Sequence, residues 1–370
     1  MKHNPALDGI RALAVLQVVA FHCNVPGVSG GFLGVDIFFV LSGFLITTIL
    51  AEEFAKSGTI RFRSFYMQRV LRLGPALVAM LTAYLALAPL LFPESGTAAH
   101  WRDAALAAFY LSDYAMAFWH VPDTMKHTWS LSVEEHYYLL WPVALSFVLR
   151  LGRARTVALL LLICCMDMAW RDVVLLHAGW NEAYYRFDTR LTGLLIGAAL
   201  ALSGARLPPR WAGPLSALGL FVVVAAPGFW SWLSDPALIW GVPAAELASL
   251  LLISGALSDS NCITVRLLAL RPLAFIGTIS YAIYLWNYPI ARLLRDDLPW
   301  YQTFAITLPL SLAFATASYF LIEKPINKWR KGLNAGRSKA GEFMHPIRAS
   351  EAAQQARVAP AGFSPSPPPA

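Results

Sequence analysis

Charge is what this chain has least of. Aspartate, glutamate, lysine and arginine make up 14% of its 370 residues, where about a quarter is usual in soluble domains. That shortfall excludes an ordinary water-soluble fold. Cysteine is scarce as well: the four present, Cys23, Cys164, Cys165 and Cys262, have the spacing of neither a zinc site nor a disulfide framework. No metal and no thiol chemistry is expected. No small-residue cleavage site follows the first apolar run, which itself carries Asp8 and Arg11, so no cleavable signal peptide is expected. An internal repeat of the kind that marks many transporters is also missing. What fills the chain is apolar, 57% of it, and that composition reads as a polytopic membrane protein. The formal net charge of +7 sits in short loops between apolar runs, which speaks for membrane topology and against nucleic acid.

Apolar runs that can cross a bilayer, or nearly so, cover 10–25, 32–50, 75–92, 133–149, 157–176, 191–205, 212–232, 236–257, 273–294 and 301–322. A span needs about 20 residues, so the first and sixth must borrow polar neighbours. A further run, 104–119, is decided by the positive-inside rule. Suppose it does not cross and the amino terminus is cytoplasmic. Then Lys56, Arg61, Arg63, Arg69 and Arg72, followed by Arg150, Arg153 and Arg155, Arg206 and Arg210, Arg266 and Arg271, and the segment after Lys324, all fall on the cytoplasmic side. If it crossed, every later basic loop would flip. The expected fold class is an all-α integral membrane protein: a polytopic bundle of about ten transmembrane helices plus a re-entrant or interfacial helix, both termini cytoplasmic. The transmembrane domain is expected over 1–330, and a disordered cytoplasmic tail rich in Pro, Ala and Ser over 331–370.

The first span, "RALAVLQVVAFHC", places Arg11 and His22 where hydrocarbon is expected. On a helix these two differ by about 20° in azimuth and roughly 16 Å in depth. They share one face, with Arg11 near the cytoplasmic end and His22 near the external end. Asp8, three residues before Arg11, can pair with it. The second span returns after a Gly-rich loop centred on Ser29, which sets Asp36 and His22 at matched depth. A carboxylate beside an imidazole fixes its tautomer and stabilises the imidazolium, as a general base requires. The alternative is that the two merely satisfy each other, or that Asp36 caps an interface. Ionisable groups inside a membrane are functional candidates by default.

Two further constellations stand out. In "IRFRSFYMQRVLRLGP", Arg69 and Arg72 lie three apart on one helical face. Paired guanidiniums so spaced suit a phosphorylated ligand; a plain topology signal is the competing reading. In "HTWSLSVEEHYYLLWP", Ser132 and Glu135 fit a capping box, which explains Glu135 structurally. Glu134 has no such explanation and is surrounded by Trp129, His127 and Tyr138, either a sugar platform or an interfacial helix terminus with its aromatic belt. His3 and Asp8 form an H-x4-D pattern, which chance and an intervening proline account for.

Taken together, "LDGIRALAVLQVVAFH", "GGFLGVDIFFVLSGFLIT", "FYMQRVLRLGP", "HTWSLSVEEHYYLLWP", "IGTISYAIYLWNYPI" and "IEKP" resemble the membrane-bound acyltransferase-3 family. That family includes O-antigen, exopolysaccharide, Nod-factor and macrolide O-acyltransferases. The resemblance implies that Arg11 and His22 are its essential Arg-x10-His pair and that Arg69 and Arg72 are its Arg-x-x-Arg motif. It also implies acyl-CoA as donor and a sugar hydroxyl at the far membrane face as acceptor. Two positions depart from the pattern. Asn287 stands where His is usual, and His136 where Gln is usual. Asn287 cannot act as a base but retains a hydrogen-bonding role. Many relatives carry an appended extracytoplasmic hydrolase-like domain; this chain is expected to act alone or with a separate extracytoplasmic partner.

The sequence therefore reads as an inner-membrane O-acyltransferase, an O-acetyltransferase modifying an envelope or secreted glycan such as lipopolysaccharide or exopolysaccharide, or a lipid-linked sugar precursor. The expected catalytic residues are His22, Asp36 and Glu134, with Asp36 or Glu134 orienting His22. Arg11, Arg69 and Arg72 are expected to bind acetyl-CoA as a passing substrate, with no permanent cofactor. Trp129, Glu135, Tyr138 and Asn287 are expected at the acceptor. An acyl-enzyme on His22 or a nearby tyrosine is a variant of this scheme. The alternative function is a transporter of a solute or lipid-linked precursor.

Overall fold

The computed structural model describes residues 3–258, 262–326 and 328. The tail expected over 331–370 lies outside the described residues. Among the described residues there are helices and no strand. In chain order the α-helices are α1 (Pro5–His22), α2 (Gly34–Ser57), α3 (Phe62–Leu91), α4 (Thr97–Ala108), α5 (Ser112–Trp119), α6 (Trp129–Val148), α7 (Arg153–Ala178) and α8 (Trp180–Tyr185). They continue as α9 (Leu191–Ser203), α10 (Pro209–Phe229), α11 (Val242–Leu257), α12 (Ile263–Leu268), α13 (Arg271–Thr278), α14 (Ser280–Leu294) and α15 (Trp300–Ser318).

Six helical segments are long and apolar enough to cross a membrane: Pro5–His22, Gly31–Ser57, Phe62–Leu91, Pro209–Phe229, Ala237–Leu257 and Trp300–Ile326. The chain is an all-α, multi-pass membrane protein. The run 104–119 is broken into α4, of 12 residues, and α5, of 8. At about 1.5 Å per residue neither reaches across a hydrocarbon core about 30 Å thick.

Helix α1 begins by rule. Asn4 caps it, its Oδ1 accepting from the Ala6 amide at 3.0 Å, and Pro5 occupies the first turn. Asp8 and Arg11 pair at 3.7 Å, with His3 on the other carboxylate oxygen at 2.7 Å. The H-x4-D residues thus do touch, at the helix start, with Asp8 itself buried.

Glycine sets how closely the helices approach. A side chain at Gly43 of α2 would strike the Leu194 carbonyl of α9, and one at Gly197 of α9 would strike the Val40 carbonyl of α2. Gly277 of α13 lies equally tight against the Asp8 carbonyl of α1. Small residues at such crossings are what allow membrane helices to pack backbone to backbone. The two tight crossings hold α1 and α2 in the middle of the bundle. Their polar side chains therefore face protein rather than lipid.

Candidate active site

Three cavities follow one another through the bundle. The first is a bowl of about 1050 Å³ at one end, walled by Lys56, Arg61, Arg69, Arg72, Lys324 and Lys328 together with Glu52, Glu53 and Glu323. Ile46, Ile49, Arg69, Arg72 and Thr278 also line the second, an inner cavity of about 110 Å³ that contains Arg11, Ser42, Glu134 and Tyr138. The third, of about 350 Å³, holds His22 among Phe21, Phe32, Trp129, Tyr184, Tyr185, Trp232 and Tyr288. Among the described residues, Val35 and Tyr284 are the two that face both the second and the third.

The shared face expected of Arg11 and His22 accounts for this series. Arg11 opens onto the inner cavity and His22 onto the aromatic one, a step of about 16 Å along the same helix.

His22 is buried, and its Nδ1 lies 2.6 Å from Asn287 Oδ1. The Asn287 amide nitrogen is already committed, donating to the carbonyls of Tyr284 at 2.7 Å and Ile283 at 3.1 Å. The side-chain oxygen must therefore face the imidazole, and an oxygen can only accept. That places the proton on His22 Nδ1 and leaves Nε2 with a free lone pair, the tautomer a general base needs. The Tyr288 ring meets His22 edge-on at 4.8 Å and stacks on His127 at 5.1 Å. Arg295 lies over the Tyr288 ring at 5.4 Å. Burial, and after it the neighbouring His22, push His127 well below the usual imidazole range.

Two expectations are corrected here. Asp36 does not orient His22. It lies in the first turn of α2 and receives a hydrogen bond from Arg190 Nη2 at 2.5 Å, with both side chains 1% exposed. Arg190 in turn lies over the rings of Tyr184 at 4.8 Å and Trp129 at 5.6 Å. Glu134 does not orient His22 either. It accepts from Ser42 Oγ at 2.7 Å inside the inner cavity. The physical reason is that hairpin geometry fixes depth and not azimuth: His22 turns toward α14, Asp36 toward Arg190 beside α9.

The group expected around "WSLSVEEHYY" is likewise divided by the rise of α6. Trp129 is at the aromatic cavity, whereas Glu134 and Tyr138 are at the inner one. Glu135 lines none of the three cavities and forms no capping box. Helix α6 starts at Trp129, three residues before Ser132, and Glu135 Oε1 accepts from Arg69 Nε at 3.2 Å. Arg69 also lies over the Tyr138 ring, 3.0 Å from its centre. Arg69 is thus held by α6 rather than free. Arg72 stands beside it in the wall between bowl and inner cavity.

Several residues at these sites carry no sequence motif. Tyr184, Tyr185 and Trp232 are assembled from distant segments, and only the fold brings them to His22. The buried set of Arg171, Arg190, Asp167 and Glu246 around Asp36 could have been found from charges inside apolar runs. Asp167 accepts from the Thr192 amide at 3.0 Å and from its hydroxyl at 2.6 Å.

A lone-pair-bearing imidazole at one end of a membrane-crossing cavity series, and guanidiniums at the other, define a membrane enzyme suited to group transfer. Residues 4–323 match the acyltransferase domain family Acyl_transf_3, and the chain belongs to that family. It is similar to the O-acetyltransferase OatA of Staphylococcus aureus, 31% identical over 385 residues, covering 94% of this chain and 61% of that protein. It is also similar to the peptidoglycan O-acetyltransferase OatA of Listeria monocytogenes, 31% identical over 352 residues, covering 88% of this chain and 56% of that protein. The chain thus spans little more than half the length of these relatives. No solved structure matches it.

Proposed function

We propose that the protein is an O-acetyltransferase of the bacterial inner membrane that moves an acetyl group from cytoplasmic acetyl-CoA to a hydroxyl of an envelope glycan on the far side. The observation that carries this reading is the cavity series itself, basic at one end and aromatic around His22 at the other. Basic loops favour the cytoplasm, which puts the bowl inside and His22 outside. The names of the relatives favour acetyl as the group and peptidoglycan as the glycan, in preference to lipopolysaccharide or exopolysaccharide.

In this scheme the donor's phosphates lie in the bowl against Arg72 and the lysines, and its thioester arm runs past Arg11 into the inner cavity. Charge-assisted contacts of this kind are the strong ones for phosphate. The glycan stacks on Trp129 and its aromatic neighbours, with one hydroxyl at His22 Nε2. His22 removes that proton as the oxygen attacks the thioester carbon. The C–S bond then breaks, and the proton passes to the departing thiolate. Asn287 holds the tautomer throughout. Asp36 and Arg190 act from behind, keeping Trp129 and Tyr184 in place.

The test is transfer of label from acetyl-CoA by the purified full chain in lipid nanodiscs, with a soluble glycan fragment as acceptor. An alkali-labile acetyl ester on the glycan is expected. Folded protein that binds the fragment and forms no ester, or that moves a solute across vesicles instead, would contradict the reading and favour a transporter.

A further inference from the structure

The reacting carbon must lie where the inner cavity meets the aromatic one, because the thioester reaches that point from one side and the hydroxyl from the other. Val35 and Tyr284 are, among the described residues, the two that face both spaces. Val35 has no polar side-chain atom. We infer that Tyr284 is a catalytic residue whose phenol hydroxyl donates a hydrogen bond to the carbonyl oxygen as it becomes an oxyanion. The inference rests on the acyl-transfer reading above.

Helix α14 supports the assignment. Tyr284 and Asn287 are three residues apart, so they lie on one helical face. One helix therefore carries both the acceptor that fixes the base's tautomer and the phenol that faces both cavities. Tyr284 Oη is 2.6 Å from Ser130 Oγ and 2.7 Å from the His127 carbonyl. Ser130 Oγ is itself 3.4 Å from the same carbonyl. When substrate arrives, Ser130 can take over that carbonyl while the Tyr284 proton turns to the new oxygen, so no buried acceptor is left without a donor.

The step balances. His22 Nε2 gains the hydroxyl proton, the glycan oxygen bonds to the carbonyl carbon, and the charge that develops on the carbonyl oxygen is met by the Tyr284 O–H. The carbonyl re-forms as the thiolate leaves, and the thiolate takes the proton from His22. Tyr284 ends as it began.

The experiment is steady-state acetyl transfer by the full chain in nanodiscs, using acetyl-CoA and a soluble glycan fragment. Loss of one oxyanion donor typically lowers kcat about 10²–10³-fold, and that fall is expected for Tyr284→Phe with both KM values unchanged. Ser130→Ala should give a smaller fall in kcat alone. A tyrosine that only packs α14 against the 126–128 turn would change yield and leave kcat intact in Tyr284→Phe, and that result overturns the inference. Should Tyr284→Phe fail to insert, fluorinated tyrosines at 284 decide the matter. A rate that tracks phenol acidity supports the assignment, and an indifferent rate overturns it. Absence of transfer by the unaltered chain would overturn both this inference and the function it rests on. Transfer by the unaltered chain with full kcat in Tyr284→Phe would overturn the inference alone.

Discussion

Two buried polar pairs sit near the same end of the bundle, and they differ in every respect that matters for chemistry. Asp36 and Arg190 form an ion pair that is shut away from water and lines none of the three cavities described above. His22 and Asn287 are joined by one hydrogen bond, and His22 opens into a space large enough for a substrate. Ionisability inside a membrane therefore does not by itself mark a catalytic group. Access does. The ion pair braces the aromatic wall, and the His22–Asn287 pair keeps a lone pair free to work.

This contrast can be broken by substitution, the largest effects falling on the charged pair. Removing one partner of a buried ion pair typically costs about 3–5 kcal/mol, because the other charge is left uncompensated. Asp36→Ala and Arg190→Ala should therefore cut the yield of folded protein sharply, read as monodisperse protein in size-exclusion chromatography. The apolar double variant Asp36→Leu with Arg190→Met should recover yield over either single change. If yield falls no further in the single variants than for a surface control, the pair does not brace the fold.

Donor binding comes next. Hydrogen bonds to charged groups contribute about 1.5–3 kcal/mol each, so Arg72→Ala should weaken acetyl-CoA binding about 10- to 100-fold by calorimetry, and Lys should restore it only in part. Arg69→Ala should weaken it less, because Arg69 is already held by Glu135 and Tyr138. Unchanged affinity in both would make these arginines topology signals only.

A comparable loss of roughly 1–3 kcal/mol is expected for Asn287→Leu, which leaves His22 Nδ1 without its acceptor. It should appear in kcat and in the pH profile rather than in KM. A shift in KM alone would point to acceptor binding instead.

The smallest effect belongs to an ion pair at the rim, Arg186 with Asp188. Burial raises the Asp188 carboxyl, yet hydrogen bonds from Arg186 and Trp170 outweigh it and hold the group below the usual carboxylate range. A carboxyl depressed in this way stabilises the fold above its ordinary titration range and loses that contribution as pH falls through its folded value. Partly exposed pairs are worth at most about 1 kcal/mol, so Asp188→Asn should lower Tm slightly at pH 7 and not at all in strong acid. A Tm loss as large as that of Asp36→Ala would erase the distinction between rim and interior.

Much of this was legible in the sequence. The Arg11–His22 spacing predicted one functional face, and the cavities open along it. The apolar runs predicted helices where helices lie. What could not be read was azimuth. The matched depth of His22 and Asp36 on a hairpin says nothing about which neighbour each side chain meets, and Arg190, far along the chain, gives no local sign of being Asp36's partner. The same gap misplaced Glu134, while the capping box read for Glu135 assumed a helix start at Ser132 when α6 begins at Trp129. Asn287 illustrates the reverse: what looked like a departure from the family pattern is the residue bonded to His22.

The most direct test is acetyl transfer per correctly folded molecule in His22→Ala and Asp36→Asn, measured side by side with yield. General-base help is typically worth about 10²–10⁴ in rate. The account predicts that His22→Ala folds and binds donor normally yet loses transfer by that factor, while Asp36→Asn folds poorly and its folded fraction remains active. Near-normal specific activity in His22→Ala, or loss of transfer in well-folded Asp36→Asn, would contradict it.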